Sequence, residues 1–175
     1  INGEGKVEAI VQIADDVSQS LATKAEEHGQ VSAIQATHAV AHFSLNGDVI
    51  WVNDHFLKAT GFTRSEVLHS PHSMFMPADE KDSDAYRAFW EALRNGHHQS
   101  GEFRRIRADG SDLWLQAVYT PILDLAGRPL KIVKYATDIT AEKLRQADYR
   151  SQVTAIHKSN CVVTFDMQGA IIDAN

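Results

Sequence analysis

Residues 1–53 and residues 123–175 read as two copies of one stretch, and this duplication constrains the chain more than any single motif. Setting Gly5 on Gly127 brings Ile10-Val11 onto Ile132-Val133, Ala14 onto Ala136, Asp16 onto Asp138, Gln30-Val31 onto Gln152-Val153 and Ala33-Ile34 onto Ala155-Ile156. The register continues without a gap, so that Val40, Phe43, Gly47, Ile50 and Asn53 meet Val162, Phe165, Gly169, Ile172 and Asn175. An offset of 122 residues is too long for a solenoid repeat and suits one ordinary core, which predicts tandem whole domains. The expected organisation is a C-terminal strand of a preceding unit over 1–17, a connector helix over 18–35, a complete domain over 36–140, a second connector over 141–158, and the opening hairpin of a following unit over 159–175. Both terminal segments are then strands without their partners.

Composition sets broader bounds. With 43% hydrophobic and 23% charged residues and a formal net charge of -6, the sequence is that of a soluble, mildly acidic globular protein. The acidic balance argues against a nucleic-acid surface. Arg104, Arg105 and Arg107 cluster, but three arginines on one strand are expected to form a solvated face rather than a phosphate track. The single cysteine, Cys161, excludes an intrachain disulfide and paired-cysteine zinc or redox sites, which fits a reducing compartment. No apolar run reaches the length of a membrane span and no secretory leader is visible at Ile1, so the expectation is a cytoplasmic protein without direct membrane contact.

Val7–Ala14 is apolar and β-branched and reads as a buried strand ended by Asp15-Asp16. The helix expected after it places Val17, Leu21, His28 and Val31 at three-to-four spacing, although Gly29 costs about 1 kcal/mol relative to Ala. The stretch from Ile139 has the same skeleton. Each connector carries a sparse apolar stripe suited either to packing on its own domain or to weak pairing with a second copy in a homodimer. The complete unit opens with Ala39–Leu45, Asn46-Gly47 and Val49–Val52, a hairpin for which Asn-Gly predicts a type I′ turn. Phe56-Leu57 lead to Gly61, Thr63-Arg-Ser-Glu66 has capping-box spacing, and the proline-bounded stretch 71–77 admits one helical turn. Asp79–Asn95 is predicted as the longest helix of the unit, with Tyr86, Phe89, Trp90 and Leu93 on one face and Gly96 as its stop. Strands follow over Gly101–Ala108, Ser111–Leu123 and Pro129–Thr137, separated by Asp109-Gly110 and by Asp124–Gly127. Two strands, then helices, then three strands predict an α+β fold, a five-stranded antiparallel sheet with helices on one face and connector helices on its flanks.

That order, with Asn46-Gly47, Asn53, Phe56 and Gly61-Phe62 in its first half and Asp109-Gly110, Trp114, Thr120-Pro121-Ile122, Asp124, Gly127 and Asp138-Ile139-Thr140 in its second, resembles a PAS domain, the small sensory module of bacterial signalling proteins. The likeness covers the whole central unit and both terminal segments. Gly101–Ile106, Trp114–Ala117 and Lys131–Asp138 look most like the tandem PAS repeats of soluble methyl-accepting chemotaxis receptors of the aerotaxis type. The resemblance implies the PAS fold, with neighbouring PAS units and a downstream signalling domain as partners. It also implies a pocket that holds haem, non-covalent FAD, a metabolite or nothing, so the cofactor stays undetermined. In the light-sensing flavin subclass the reactive cysteine falls at Ser73 of this sequence, the two flavin-binding asparagines at Arg105 and Leu115, and the switching glutamine at Ala136. None of these is kept, and the expectation is that a covalent flavin photocycle is excluded.

Strand alternation in that registration turns Phe103, Arg105, Leu113, Leu115, Ala117, Tyr119, Lys134 and Ala136 toward the helices. The candidate pocket comprises Phe75, Trp90, Arg105, Trp114, Leu115 and Ala136. A guanidinium in an apolar cavity needs an anionic partner, either a ligand carboxylate or phosphate or an acidic residue of the helical face, unless it snorkels to the rim. His72, His97 and His98 are the candidate axial ligands for haem. His69 and His72 lack the further carboxylate or cysteine of a zinc site, and no metal is expected. Asp79, Glu80, Asp82 and Asp84 read as acids of a helix start, and no phosphate loop or nucleophile motif occurs, so no enzyme is expected. The function expected is a sensory module of a chemotaxis-type transducer that detects a small ligand or redox state. The signal would leave through Asp138-Ile139-Thr140 to the connector helix, with Asp138 accepting hydrogen bonds at the junction. The alternative is a ligand-free module for dimerisation or docking, its interior filled by Phe75, Trp90, Leu115 and Tyr119.

Overall fold

The computed structural model describes residues 18–175. Two compact units divide the chain, Ile1–Ala36 and Thr37–Asn175. In the first, the described element is the helix α1, Ser18–Thr37; the strand expected over residues 7–14 lies outside the described residues. The second unit runs β1 (Ala39–Phe43), β2 (Val49–Val52), α2 (Asp54–Thr60), α3 (Arg64–Val67), a 3-10 turn (His72–Phe75), α4 (Asp84–Arg94), β3 (Gln99–Ile106), β4 (Asp112–Leu123), β5 (Pro129–Asp138), α5 (Thr140–Ser159), β6 (Val163–Phe165) and β7 (Ile171–Ala174).

Five strands form one antiparallel sheet in the order β2-β1-β5-β4-β3, so the first strand of the unit lies beside the last. Side chains along β4 alternate: Leu113, Leu115, Ala117 and Tyr119 are buried, while Gln116 and Val118 between them are exposed. The inward residues of the sheet meet Phe56, Val67, Phe75, Trp90 and Leu93 from the helices, making one α+β core. Small side chains at Ala39 and Ala41 let α2 pack close on β1.

Two local expectations are corrected. The Asn46-Gly47 turn is not type I′, because His69 is the only non-glycine with positive φ among the described residues and Asn46 therefore stays on the ordinary side. Instead Gly47 N–H donates to Ser44 O at 3.0 Å, Gly47 alone takes φ +93, and the β1–β2 register slips by one residue, the signature of a type I turn followed by a glycine bulge. The choice of glycine also has a packing reason, since a Cβ at Gly47 would come within 3.1 Å of the Trp90 ring. The long helix starts at Asp84 rather than Asp79. Ser83 Oγ accepts from Tyr86 N at 3.1 Å and caps it, while Pro77 O closes a preceding turn onto Glu80 N and Lys81 N. Asp79, Glu80 and Asp82 thus lie ahead of the helix and are not its first turn.

Asn53 holds the first half of the sheet to the helices. Its Oδ1 accepts from Phe56 N, capping α2, and from Val40 N, both at 2.9 Å, and its Nδ2 donates to His38 O at 2.8 Å. The same pattern recurs at the end of the chain, where Asn175 Oδ1 accepts from Val162 N and Asn175 Nδ2 donates to Asn160 O, each at 2.8 Å. The β6–β7 register, Val163↔Ala174, Thr164↔Asp173 and Phe165↔Ile171, reproduces Ala41↔Val52, His42↔Trp51 and Phe43↔Val49 with the same one-residue slip.

Replacing Asn53 by Ala removes a cap and leaves the buried Val40 N–H without its acceptor. The expected loss is on the order of 2–4 kcal/mol, read as a lower urea midpoint with an unchanged slope; a loss below about 0.5 kcal/mol would contradict this role.

Candidate functional site

Among the described residues the buried polar and charged side chains are Asn53, Thr60, His72, Arg105 and Lys134, and none is acidic. Asn53 and Thr60 serve the backbone, Thr60 by donating to Phe56 O. The other three gather around Tyr119. β3 delivers Arg105 and β5 delivers Lys134, each on the inward side of its strand, while the 3-10 turn presents His72 from the helical side.

The geometry is a polar chain inside an aromatic cage. Arg105 Nη2 donates to Tyr119 Oη at 3.4 Å, and Tyr119 Oη lies 3.1 Å from His72 Nε2. His72 Nδ1 lies 3.1 Å from Tyr86 Oη. Each ring nitrogen of His72 therefore faces a phenol hydroxyl that can donate or accept, and the imidazole tautomer sets the direction of the two bonds. Phe43, Phe89 and Trp90 surround the imidazole, with Phe89 edge-on to Tyr119 at 5.0 Å between ring centres. Lys134 Nζ lies 5.0 Å from the centre of the Tyr119 ring and 5.7 Å from that of Phe56. Arg105 lies over Phe103 at 5.0 Å and donates through Nη1 to Arg104 O.

These placements set the protonation states. Burial, with Arg105 and Lys134 beside it, pushes His72 well below its ordinary value, so the imidazole is neutral. Burial lowers Lys134 as well, with Tyr119 opposing and Arg105 adding to the effect. Burial alone would raise the Tyr119 hydroxyl, but Lys134 and Arg105 outweigh it and bring it below the usual tyrosine range.

A cavity of about 150 Å³ lies against Arg105, walled by Met76, Glu80, Ser83, Ala85, Tyr86, Phe89 and Phe103. A larger groove, about 610 Å³, lies away from this cluster, between the start of α5 and Arg107, Asp112 and Trp114. Of the residues expected in the pocket, Phe75, Trp90, Arg105, Leu115 and Ala136 are all buried in the interior. Trp114 is not among them. It sits between the inward Leu113 and Leu115, so the strand's period of two turns it to the outer face, where Lys143 of α5 stacks on it at 5.4 Å. His97 and His98 are exposed in the loop after α4, away from the cluster. His72 is fully buried with both ring nitrogens engaged, so iron could bind it only by displacing a tyrosine hydroxyl. A haem or flavin ring would likewise require the aromatic cluster to open.

At the sheet's exit, Asp138 Oδ1 accepts from Thr140 N at 2.8 Å and its Oδ2 pairs with Arg107 Nη2 at 2.7 Å. Arg107 also donates to Ala59 O, and the Trp114 backbone brackets the junction through Ile139 N and Thr140 Oγ1. The arginine cluster is therefore not one solvated face: Arg105 is internal, Arg107 is a structural clamp, and Arg104 pairs with Asp112 at the surface.

The family model described as the PAS fold matches residues 49–136. The chain belongs to the PAS family. Among its relatives is the biofilm dispersion protein BdlA of Pseudomonas aeruginosa, 37% identical over 145 residues, a match covering 83% of this chain and 35% of BdlA. The aerotaxis receptor of Escherichia coli is 28% identical over 79 residues, 45% of this chain and 15% of the receptor. The chain thus spans about a third or less of the length of these relatives. Among solved structures, a PAS domain from Colwellia psychrerythraea superposes with a TM-score of 0.59 at 19% identity, over 66% of this chain and 98% of that one. A light-oxygen-voltage domain studied with a flavin analogue gives 0.58 at 20% identity, over 75% of this chain and 98% of that one.

The last likeness corrects one expectation. Exclusion of a covalent flavin photocycle rested on single residues at Ser73, Arg105, Leu115 and Ala136. The PAS fold seen here is shared with several light-oxygen-voltage domains, and phototropin-1A of Oryza sativa is 25% identical over 116 residues, so that exclusion does not stand.

A buried neutral histidine makes PAS stability pH-dependent. Unfolded His72 takes up a proton below about 6.5 while folded His72 does not, so stability is expected to fall as pH drops below that value, by at most about 1.4 kcal/mol per unit. Denaturant unfolding across this range should show a shallower slope for His72→Gln; an unchanged slope would contradict a neutral His72.

Proposed function

We propose that this chain is a sensory PAS module of a chemotaxis-type signal-transduction protein, which detects a small ligand or redox state in its interior and passes the change through Asp138-Ile139-Thr140 to α5. The observation that carries this reading is the Asp138 node, where one side chain ties the end of β5 to the first turn of α5 and to Arg107 just past β3. A displacement of β3 against β5 therefore acts directly on the helix leaving the domain. Likeness to BdlA and to an aerotaxis receptor supports the chemotaxis setting.

The partners proposed are neighbouring PAS units, a second copy of the chain and a downstream signalling domain, in the cytoplasm. Among the described residues no helix is long and apolar enough to cross a membrane. The β6–β7 hairpin, with its bulge and its terminal asparagine matching those of β1–β2, supports reading residues 159–175 as the start of a following PAS unit. Its exposed Phe165 and Ile171, the counterparts of the buried Phe43 and Val49, are apolar residues such a unit would bury.

Asp138→Ala removes the acceptor of the Thr140 N–H and the ion pair with Arg107 but no core contact. The expected stability loss is about 1 kcal/mol, a fall of roughly 4–8 °C in Tm, together with loss of the stimulus response in the full-length protein. An intact response from this variant would overturn the proposed route.

A further inference from the structure

The Arg105 guanidinium is 4% exposed, its Nε has no hydrogen-bond partner, and its Nη2 has only the 3.4 Å contact to Tyr119. Nη1, by contrast, is engaged with Arg104 O at 2.7 Å. Nε and Nη2 together form the side-on edge of a guanidinium, the edge that takes both oxygens of a carboxylate. No ion pair within the described residues reaches Arg105 or Lys134, so the interior holds an uncompensated cation at a cost that an anion would relieve.

Arg105 lines the cavity of about 150 Å³ described above. At ~30 Å³ per water this is about five waters, so an occupant has on the order of four to six non-hydrogen atoms. Phe89, Phe103 and Met76 supply apolar walls, while Ser83 and Tyr86 supply hydroxyls. The one carboxylate on the wall, Glu80, is only partly buried and acts on the neighbouring Arg104. A short acid matches the charge of Arg105 and the apolar lining beside it.

We propose that this cavity binds a short-chain monocarboxylate, with its two oxygens on Nε and Nη2 of Arg105 and its alkyl end against Phe89, Phe103 and Met76. This rests on the sensory reading and names the ligand class for it. Lys134, across the Tyr119 ring, adds a second positive charge that favours the anion.

Calorimetric titration and thermal unfolding of the purified chain with sodium propionate, against propionamide and sodium chloride at equal ionic strength, test the proposal. Propionate should bind and raise Tm in a concentration-dependent way, and the uncharged amide and chloride should not. Arg105→Met, which removes the uncompensated charge, and Arg105→Lys, which keeps the charge but loses the fork, should each weaken propionate by about tenfold or more. Equal protection by propionamide, unaltered affinity in both variants, or absence of binding by both propionate and butyrate would overturn it. Should that happen while Asp138→Ala still silences the full-length protein, the carboxylate assignment fails and the sensory reading survives.

Discussion

β5 pairs with β1 on one side and with β4 on the other, so both of its hydrogen-bonding edges are committed to the sheet. Its alternation sends Ile132, Lys134 and Ala136 inward, and its last residue is Asp138. The strand that closes the interior is therefore the strand that ends at the exit node, and no hinge separates the two. β3 completes the arrangement from the edge of the sheet. It carries Arg105 into the interior, and two residues on Arg107 reaches Asp138. Arg105 and the start of α5 are thus separated by a two-residue step along the chain and one ion pair.

The electrostatics of the interior run against the usual pattern of paired buried charges. The groups packed around the Arg105 guanidinium are phenols, a neutral imidazole and a second base. Tyr119 takes part of the load, accepting from Arg105 while drawing Lys134 onto its ring face. Neutral hydroxyls offset a buried cation only in part. The sheet therefore holds a buried cation only partly offset by its neighbours, two residues before the arginine that pairs with Asp138.

Much of this was legible in the sequence because it depends on short periods. In the registration that the PAS resemblance supplies, alternation along β3, β4 and β5 puts Arg105, Tyr119 and Lys134 on one face. Trp114 shows how local that logic is, since one step along the strand separates the core from the outer surface. What escaped were contacts fixed by distant chain segments. Arg107 finds Asp138 across 31 residues, and His72 finds Tyr119 across 47; neither separation follows from pattern. Ser83 ends the run-up to α4 because its hydroxyl competes successfully for a backbone N–H, a choice that the acidic residues around it conceal.

The central claim is that charge at Arg105 is coupled to α5 through the Arg107–Asp138 pair, and amide hydrogen exchange with and without propionate tests it most directly. The account predicts slower exchange along β3 and through the first turns of α5 when propionate is added, with protection in Asp138→Ala confined to the strands. Protection that stops at the cavity in the wild-type protein, leaving Thr140–Gln146 unchanged, would contradict it.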